Sequence, residues 1–202
     1  MVRSLSTIGC LAATALLAGC FGGGQDEGAN PPQTKGSGTY TVEIPKAEFP
    51  SDQHLDRDAV MRIEVRNAGD RPLPDVAVSV TTDDAGTSAP TFALPDSQPG
   101  LAQRYQPVWV LDEGPIGGAS AFANTWTLGE VAPGQSKTFV WRAHPVRAGD
   151  FTVRWKVAPA LLGGSARLAD GSPAAGSFPA RVDGKAPSAT VGPNGKVTKK
   201  YD

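Results

Sequence analysis

The stretch Thr138–Val157, TFVWRAHPVRAGDFTVRWKV, contains the clearest secondary-structure pattern in the chain. Apolar and polar residues alternate on both sides of a short link that runs from Pro145 to Asp150. Alternation with a period of two is typical of a strand that buries one face and exposes the other. Because two such segments flank a short link with Gly149, we predict that they pair as a β-hairpin. The buried face would hold two tryptophans and two phenylalanines, and we expect these rings to anchor the core. They are Phe139, Trp141, Phe151 and Trp155.

Segments with the same period occur through the rest of the chain after residue 38. About seven short strands separated by turns, with no convincing amphipathic helix, predict an all-β fold, a single antiparallel β-sandwich. The predicted strands outside the opening stretch lie at Tyr40–Ile44, Ala59–Asn67, Val76–Thr81, Val108–Leu111, Trp126–Leu128 and Phe178–Val182.

Two segments lack this alternation. Residues 82–106 are rich in Asp, Thr, Ser, Pro and Gly, and we interpret them as a long loop with a short edge strand at Phe92–Leu94. Residues 183–202 are again rich in proline and glycine, and we expect an extended C-terminal tail. The folded sandwich is therefore predicted to span residues 39–182.

The N-terminus has the pattern of a secretory signal. Residues Leu5–Ala18 are apolar or small, and Arg3 is the only charge ahead of them. The run is too short for a stable transmembrane helix. Its ending, Leu17-Ala18-Gly19-Cys20, resembles the lipobox of bacterial lipoproteins. That resemblance implies cleavage after residue 19, diacylglycerol on the Cys20 thiol, often an acyl chain such as palmitate on the new amine, and extracytoplasmic anchoring to the bacterial cell membrane.

The segment after Cys20 is predicted to be a tether. Residues 21–38 hold six glycines, the pair Pro31-Pro32 and no apolar period. A flexible coil of that length would span on the order of 25 Å. We therefore divide the chain into a signal peptide (1–19), a lipidated cysteine with its linker (20–38), the sandwich (39–182) and the tail (183–202).

Two segments of the predicted sandwich resemble bacterial surface modules of the immunoglobulin-like type. Arg62–Val80, RIEVRNAGDRPLPDVAVSV, has a strand, an Asn-x-Gly-Asp turn and a valine-rich strand in the order found there. Leu128–Val157 is similar to the closing half of such modules, with an Ala-Pro-Gly turn before a strand. The resemblance implies an immunoglobulin-like sandwich and no shared catalytic residues.

Charge and cysteine content limit the possible partners and chemistry. The chain has 19 basic and 20 acidic residues without a basic block, so a nucleic-acid partner is not expected. Its cysteines are Cys10, inside the predicted signal, and Cys20. After processing and lipidation, no thiol would remain for a disulfide, a zinc site or a nucleophile.

The sequence contains no recognisable catalytic motif. It lacks both the Gly-x-Ser-x-Gly nucleophile elbow and a glycine-rich phosphate loop ending in Gly-Lys-Ser/Thr. An enzyme needs a converging set of titratable groups, and none can be assembled from the spacing of its residues. We expect neither enzymatic activity nor a cofactor.

One cluster has the composition of a metal site. Asp52, His54, Asp56 and Asp58 recur at every second position, so on an extended segment all four would project to one side. Carboxylates beside an imidazole are reasonable ligands for a divalent cation. The alternative, which the missing calcium-loop pattern favours, is a polar solvated loop between two strands.

Trp109 is the one tryptophan that is out of phase with its apolar neighbours. It lies between Val108 and Val110, whereas the other three tryptophans alternate in step with core residues. An exposed aromatic side chain would suit a glycan partner. A short apolar run can also be buried on both faces, and that alternative remains open.

These patterns favour a membrane-anchored extracytoplasmic lipoprotein that acts by binding or as a structural component of the cell envelope. An envelope protein or a glycan is its expected partner. The alternative is an accessory subunit of a membrane or transport complex, which would dock through the long loop 82–106. A metal-handling protein that uses the Asp52–Asp58 cluster is a third, weaker alternative.

Overall fold

The computed structural model describes residues 35–84, 87–93, 107–117, 119–122 and 124–201. Strands make up all of the regular structure in those ranges, which hold no helix long and apolar enough to cross a membrane. The strands are β1 (Thr39–Glu48), β2 (Asp52–His54), β3 (Ala59–Asn67), β4 (Ala77–Asp84), β5 (Thr87–Pro90), β6 (Phe92–Ala93), β7 (Trp109–Glu113), β8 (Ala119–Phe122), β9 (Thr125–Thr127), β10 (Ser136–Pro145), β11 (Gly149–Ala158), β12 (Ser165–Arg167), β13 (Ala175–Asp183), β14 (Ser188–Val191) and β15 (Val197–Lys200).

The strands form two large sheets and one small one. The first sheet has the order β12-β1-β3-β10-β7-β6, and the second has the order β2-β13-β11-β4-β9-β8, with β5 also paired to β4. The central pairs of both sheets are antiparallel, whereas β12, β6 and β2 add in parallel at the edges. The order β1-β3-β10-β7 opposite β13-β11-β4 is that of an immunoglobulin constant-type sandwich. The all-β, immunoglobulin-like fold predicted from the sequence is therefore confirmed.

The alternation in the sequence matches the burial of the strands. In β3, Met61, Ile63 and Val65 are fully buried, and the residues between them are partly exposed. The same holds for the four aromatic rings of the opening stretch, all of which lie in the core. One inward face per strand is what a two-layer sandwich requires.

The predicted hairpin between the two halves of Thr138–Val157 is wrong. β10 pairs with β3 and β7 in the first sheet, whereas β11 pairs with β13 and β4 in the second. The link Val146–Ala148 therefore carries the chain from one sheet to the other. The Val146 N–H donates to the carbonyl of Val108 (2.8 Å), which fixes the start of this crossing. A period of two determines which face of a strand is buried, but it does not determine the partner strand.

Aromatic rings join the two sheets. Trp141 of the first sheet meets Trp126 of the second edge to face, with ring centroids 5.5 Å apart. Trp109 of the first sheet meets Phe151 of the second in the same way at 5.8 Å. Edge-to-face pairs add to the stabilisation that the buried area of the rings supplies. These contacts hold the layers together between strands that share no hydrogen bonds.

Asn67 organises the turn that follows β3. Its side chain is fully buried, and its amide donates to the carbonyls of Arg71 (2.9 Å) and Val131 (2.8 Å). Its carboxamide oxygen accepts the N–H of Gly69 at 3.0 Å. The Asn-x-Gly-Asp motif is thus an Asx-type turn whose asparagine also ties the β3 end to the segment before β10.

The ends of the folded region differ from the predicted boundaries. Gly36, assigned to the linker, is buried, and its N–H donates to the carbonyl of Leu162 (2.7 Å). The segment predicted as an extended tail contains the antiparallel hairpin β14–β15, although all of its strand residues are exposed. The short strand expected near Phe92 is present as β6. Residues 1–34, with Cys20, and residues 94–106 of the long loop lie outside the described ranges.

We expect Trp155→Ala to lower the free energy of unfolding by roughly 3–5 kcal/mol, because it leaves a cavity in the core. Trp155 is 8% exposed and packs so closely over Gly176 that a Cβ there would lie 2.5 Å from the indole. The matched control is Lys156→Ala, one position along β11 on the exposed face, with an expected loss below about 0.5 kcal/mol. Urea unfolding of the two purified variants measures both values. Equal losses would contradict the assignment of the two faces of β11.

Candidate functional site

The four residues of the predicted metal cluster do not share one side of a strand. β2 ends at His54, and Asp56 lies in a turn with a positive φ of 61°. Asp56 therefore departs from the extended geometry on which the prediction depended. No three His, Cys, Asp or Glu side chains among the described residues are placed to hold a metal ion together.

Asp56 is instead held by the C-terminal segment. Its carboxylate pairs with the Lys199 ammonium, and its backbone carbonyl accepts the hydroxyl of Tyr201 at 2.7 Å. The guanidinium of Arg57 lies over the Tyr201 ring, 5.6 Å from its centroid. The hydrogen bond to Asp56 raises the pKa of Lys199 above its usual value.

The other members of the cluster line a small polar cavity. Asp52, His54 and Asp58 border a space of about 270 Å³ together with Arg57. His54 Nδ1 lies 4.0 Å from the carboxylate of Asp183, the last residue of β13. The cavity thus combines acidic, basic and imidazole groups. This composition is found on solvated polar surfaces as well as in ligand sites, so by itself it does not identify a site.

Trp109 is buried, so of the two alternatives that the sequence left open the exposed one does not hold. Its side chain is fully buried, and its indole N–H donates to the Gln53 carboxamide oxygen at 2.7 Å. Gln53, itself buried, donates onward to the carbonyl of Pro50 (2.8 Å). The Phe49 ring packs edge to face on the indole. The connection between β1 and β3 folds over Trp109, and this long-range cover is the reason that the local phase of β7 could not decide between exposure and burial.

The outward face of the second sheet forms a groove of about 500 Å³. It crosses the three strands β4, β11 and β13, and Arg154 and Lys156 rise from the central strand. Small side chains flank them, since Thr81 pairs with Arg154, and Ser79 pairs with Lys156. Opposite these on β13 lie Ser177 and Ala175. The short side chains of β4 and β13 leave open space on both sides of the longer Arg154 and Lys156 side chains, and this space is the groove.

The two basic groups of the groove have different environments. The Arg154 guanidinium donates to the Asp83 carboxylate, which holds it toward β4. Lys156 makes no ion pair with any described residue. On the β4 side, the Ser79 and Thr125 hydroxyls are 2.8 Å apart and hydrogen-bonded. Hydroxyl groups beside a free ammonium suit a polar ligand that carries hydroxyl or anionic groups.

The outward face of the first sheet is different, because its charges pair with one another. Arg66 pairs with Glu43 (2.7 Å), and Arg142 pairs with Glu113 (3.3 Å). Hydrogen bonds from Lys46 and Arg62 lower the pKa of Glu48. These exposed pairs contribute little stability each, but they leave few charges unsatisfied. The groove on the second sheet differs from this face in that its Lys156 has no ion pair with a described residue.

Sequence reasoning did not identify this groove as a site. The alternation does assign Arg154 and Lys156 to the outward face of β11. The contribution of Ser177 depends on the pairing of β13 with β11, which is a long-range contact. Without the strand order, a row of small polar residues is indistinguishable from any solvated strand face.

Comparison with known proteins finds structural likeness only. No protein-family model matches the chain, and no curated protein matches it. The CARDB domain of the PF1109 protein from Pyrococcus furiosus, solved in complex with di-metal ions, is 17% identical over 70% of this chain and 90% of its own, with a TM-score of 0.38.

Two further structures share the general architecture. Native alpha-2-macroglobulin from Escherichia coli, spanning domain MG7 to the C-terminus, is 13% identical over 72% of this chain and 17% of its own, with a TM-score of 0.41. The alkylpurine DNA glycosylase AlkC from Pseudomonas fluorescens is 10% identical over 71% of this chain and 30% of its own, with a TM-score of 0.38. These likenesses carry no inference about what the chain binds.

We expect calorimetric titration with Ca²⁺, Mn²⁺ or Zn²⁺ to show no stoichiometric heat. Asp56 is occupied by Lys199, and the remaining carboxylates are not arranged around one point. The melting temperature should also stay constant, since only a ligand that binds the folded state raises it. A stoichiometric heat signal that disappears in the double variant His54→Ala with Asp56→Ala would instead support the metal-site hypothesis.

Proposed function

We propose that this chain is a non-catalytic module of the bacterial cell envelope, held at the extracytoplasmic side of a membrane by lipid on Cys20, and that it binds a partner through the groove on its second sheet. The anchor follows from the lipobox-like ending Leu17–Cys20. The binding role is supported by the groove itself, where Lys156 stands between small side chains without an ion-pair partner in the described region.

The groove suits a partner that presents hydroxyl or carboxylate groups. Lys156 supplies a positive charge, and the hydroxyls of Thr81 and Ser177 supply donors and acceptors. A groove of about 500 Å³ is large enough for a short glycan, or for part of an extended peptide that lies along it. The groove is shallow. A shallow surface on a sheet favours macromolecular partners over small molecules, since no deep cavity buries the ligand.

The position of the sandwich after a polar segment is compatible with this role. The described fold begins at Lys35, so fourteen residues separate it from Cys20. Composition predicts a span of roughly 20 Å for a coil of that length. Such a spacing would keep both outward faces accessible to an envelope protein or glycan.

The anchor is tested by Cys20→Ser. The substitution removes the thiol that would accept diacylglycerol, and two acyl chains hold a protein far more firmly than one. We expect the variant to leave the membrane fraction or to accumulate as uncut precursor. Normal processing and membrane fractionation of the variant would contradict the lipoprotein assignment.

The binding face is tested by two variants, each with the same kind of substitution on a different sheet. Thr81→Arg fills the groove, whereas Thr138→Arg makes the same change on the outward face of β10. We expect partners recovered from solubilised membranes with the unchanged chain and with Thr138→Arg to be absent with Thr81→Arg. Equal recovery with both variants would exclude the groove. Recovery of subunits of one membrane complex would favour the accessory-subunit alternative.

A further inference from the structure

The C-terminal hairpin differs in charge from the rest of the chain. Residues 183–202 contain four lysines and two aspartates, Asp183 and Asp202. The other residues from Cys20 onward contain 14 basic and 18 acidic residues. A basic element on an acidic body produces a strong local potential, which acts on anionic surfaces within about one Debye length. The four lysines are Lys185, Lys196, Lys199 and Lys200.

The same hairpin exposes apolar side chains. Val191 is 65% exposed, and Val197, its direct partner across the two strands, is 54% exposed. These are two of the five large hydrophobic residues that are exposed in the described part of the chain. Adjacent exposed valines beside lysines form the pattern by which peripheral segments contact a lipid headgroup region.

The hairpin is a separate sheet with its own hydrogen bonds. Its strands pair only with each other, and all eight strand residues are exposed. Lys199 and Tyr201 attach its end to the turn at Asp56. This attachment fixes the base of the hairpin and leaves the end with Val191, Val197 and Lys196 away from the core.

We propose that the C-terminal hairpin is a second, reversible contact of the protein with an anionic lipid surface. The partner is anionic lipid because the element combines positive charge with exposed valines, and a soluble polyanion would use only the charge. The proposal rests on the lipid anchor proposed above, because a contact of this strength matters chiefly for a domain already held near the membrane.

The expected strength follows from the number of lysines. Each lysine near an anionic membrane surface strengthens binding roughly five-fold. Because Lys199 is paired with Asp56, the other three lysines correspond to a dissociation constant on the order of 10 mM lipid for the untethered chain. Such binding is measurable with vesicles and would become nearly complete under the high effective concentration that a lipid anchor provides.

The test uses the chain from residue 20 with Cys20→Ser and sedimentation with sucrose-loaded vesicles. We expect binding to phosphatidylcholine vesicles with roughly 30% phosphatidylglycerol, no binding to phosphatidylcholine alone, and loss of binding when salt is raised from about 50 to about 500 mM. Lys196→Gln should weaken binding roughly five-fold. The matched control Lys35→Gln, at the other end of the sandwich, should leave it unchanged.

A second pair of variants tests the apolar part. Val191→Ser with Val197→Ser should weaken binding at constant charge, whereas Val146→Ser, a valine that is 52% exposed outside the hairpin, should not. Unchanged melting temperatures are expected, since the substituted residues lie outside the core. Binding that ignores both hairpin variants, an absence of vesicle binding, or binding to soluble polyphosphate alone would overturn the proposal.

The two proposals fail separately. The vesicle experiment uses a chain that cannot carry lipid, so its outcome does not depend on the anchor. Fractionation of cells that carry the Cys20→Ser variant tests the anchor, whether or not the hairpin binds anionic lipid. A chain that is lipidated but shows no affinity for anionic vesicles would keep the first proposal and remove the second.

Discussion

The architecture depends on aromatic rings that meet between the two sheets. Trp109 and Trp141 belong to the first sheet, are fully buried, and each contact an aromatic ring from the second. Both cysteines, Cys10 and Cys20, precede the described residues, so no disulfide joins the layers there. The sheets therefore stay together through packing and through the chain segments that cross between them. Burial of such rings stabilises the fold by roughly 2–3 kcal/mol each before entropy is counted.

The sequence was sufficient to predict the longer strands but not their partners. The alternation in β3, β10 and β11 correctly assigned the large apolar side chains of those strands to the buried face, because one sheet face must be apolar. It suggested a hairpin for β10 and β11, because a short link with glycine suits a tight turn. The link instead crosses between the sheets, with Val146 bonded to Val108. A local sequence pattern carries no information about that long-range contact.

The candidate sites were less predictable for the same reason. The phase of Trp109 was uninformative because Gln53 and Phe49, more than fifty residues earlier, cover it. The geometry of the acidic cluster could not be predicted because Asp56 adopts a left-handed turn that Lys199 and Tyr201 support from more than 140 residues later. The groove around Lys156 exists only because β13 and β4 lie on either side of β11. Each of these features is a product of topology, not of local composition.

Asn67 stabilises the turn after β3 from inside the molecule, without using either outward face of the sandwich. Its buried amide holds two carbonyls, so the turn after β3 and the segment before β10 are fixed without any contribution from the outward faces. Because the core and this turn satisfy the structural demands, the two outward faces are free to differ. One carries paired charges and the other a groove with an unpaired lysine among the described residues. The hairpin β14–β15 forms a sheet of its own, so it and the groove are different parts of the described structure. Surface substitutions at either place leave the packing between the two large sheets unchanged.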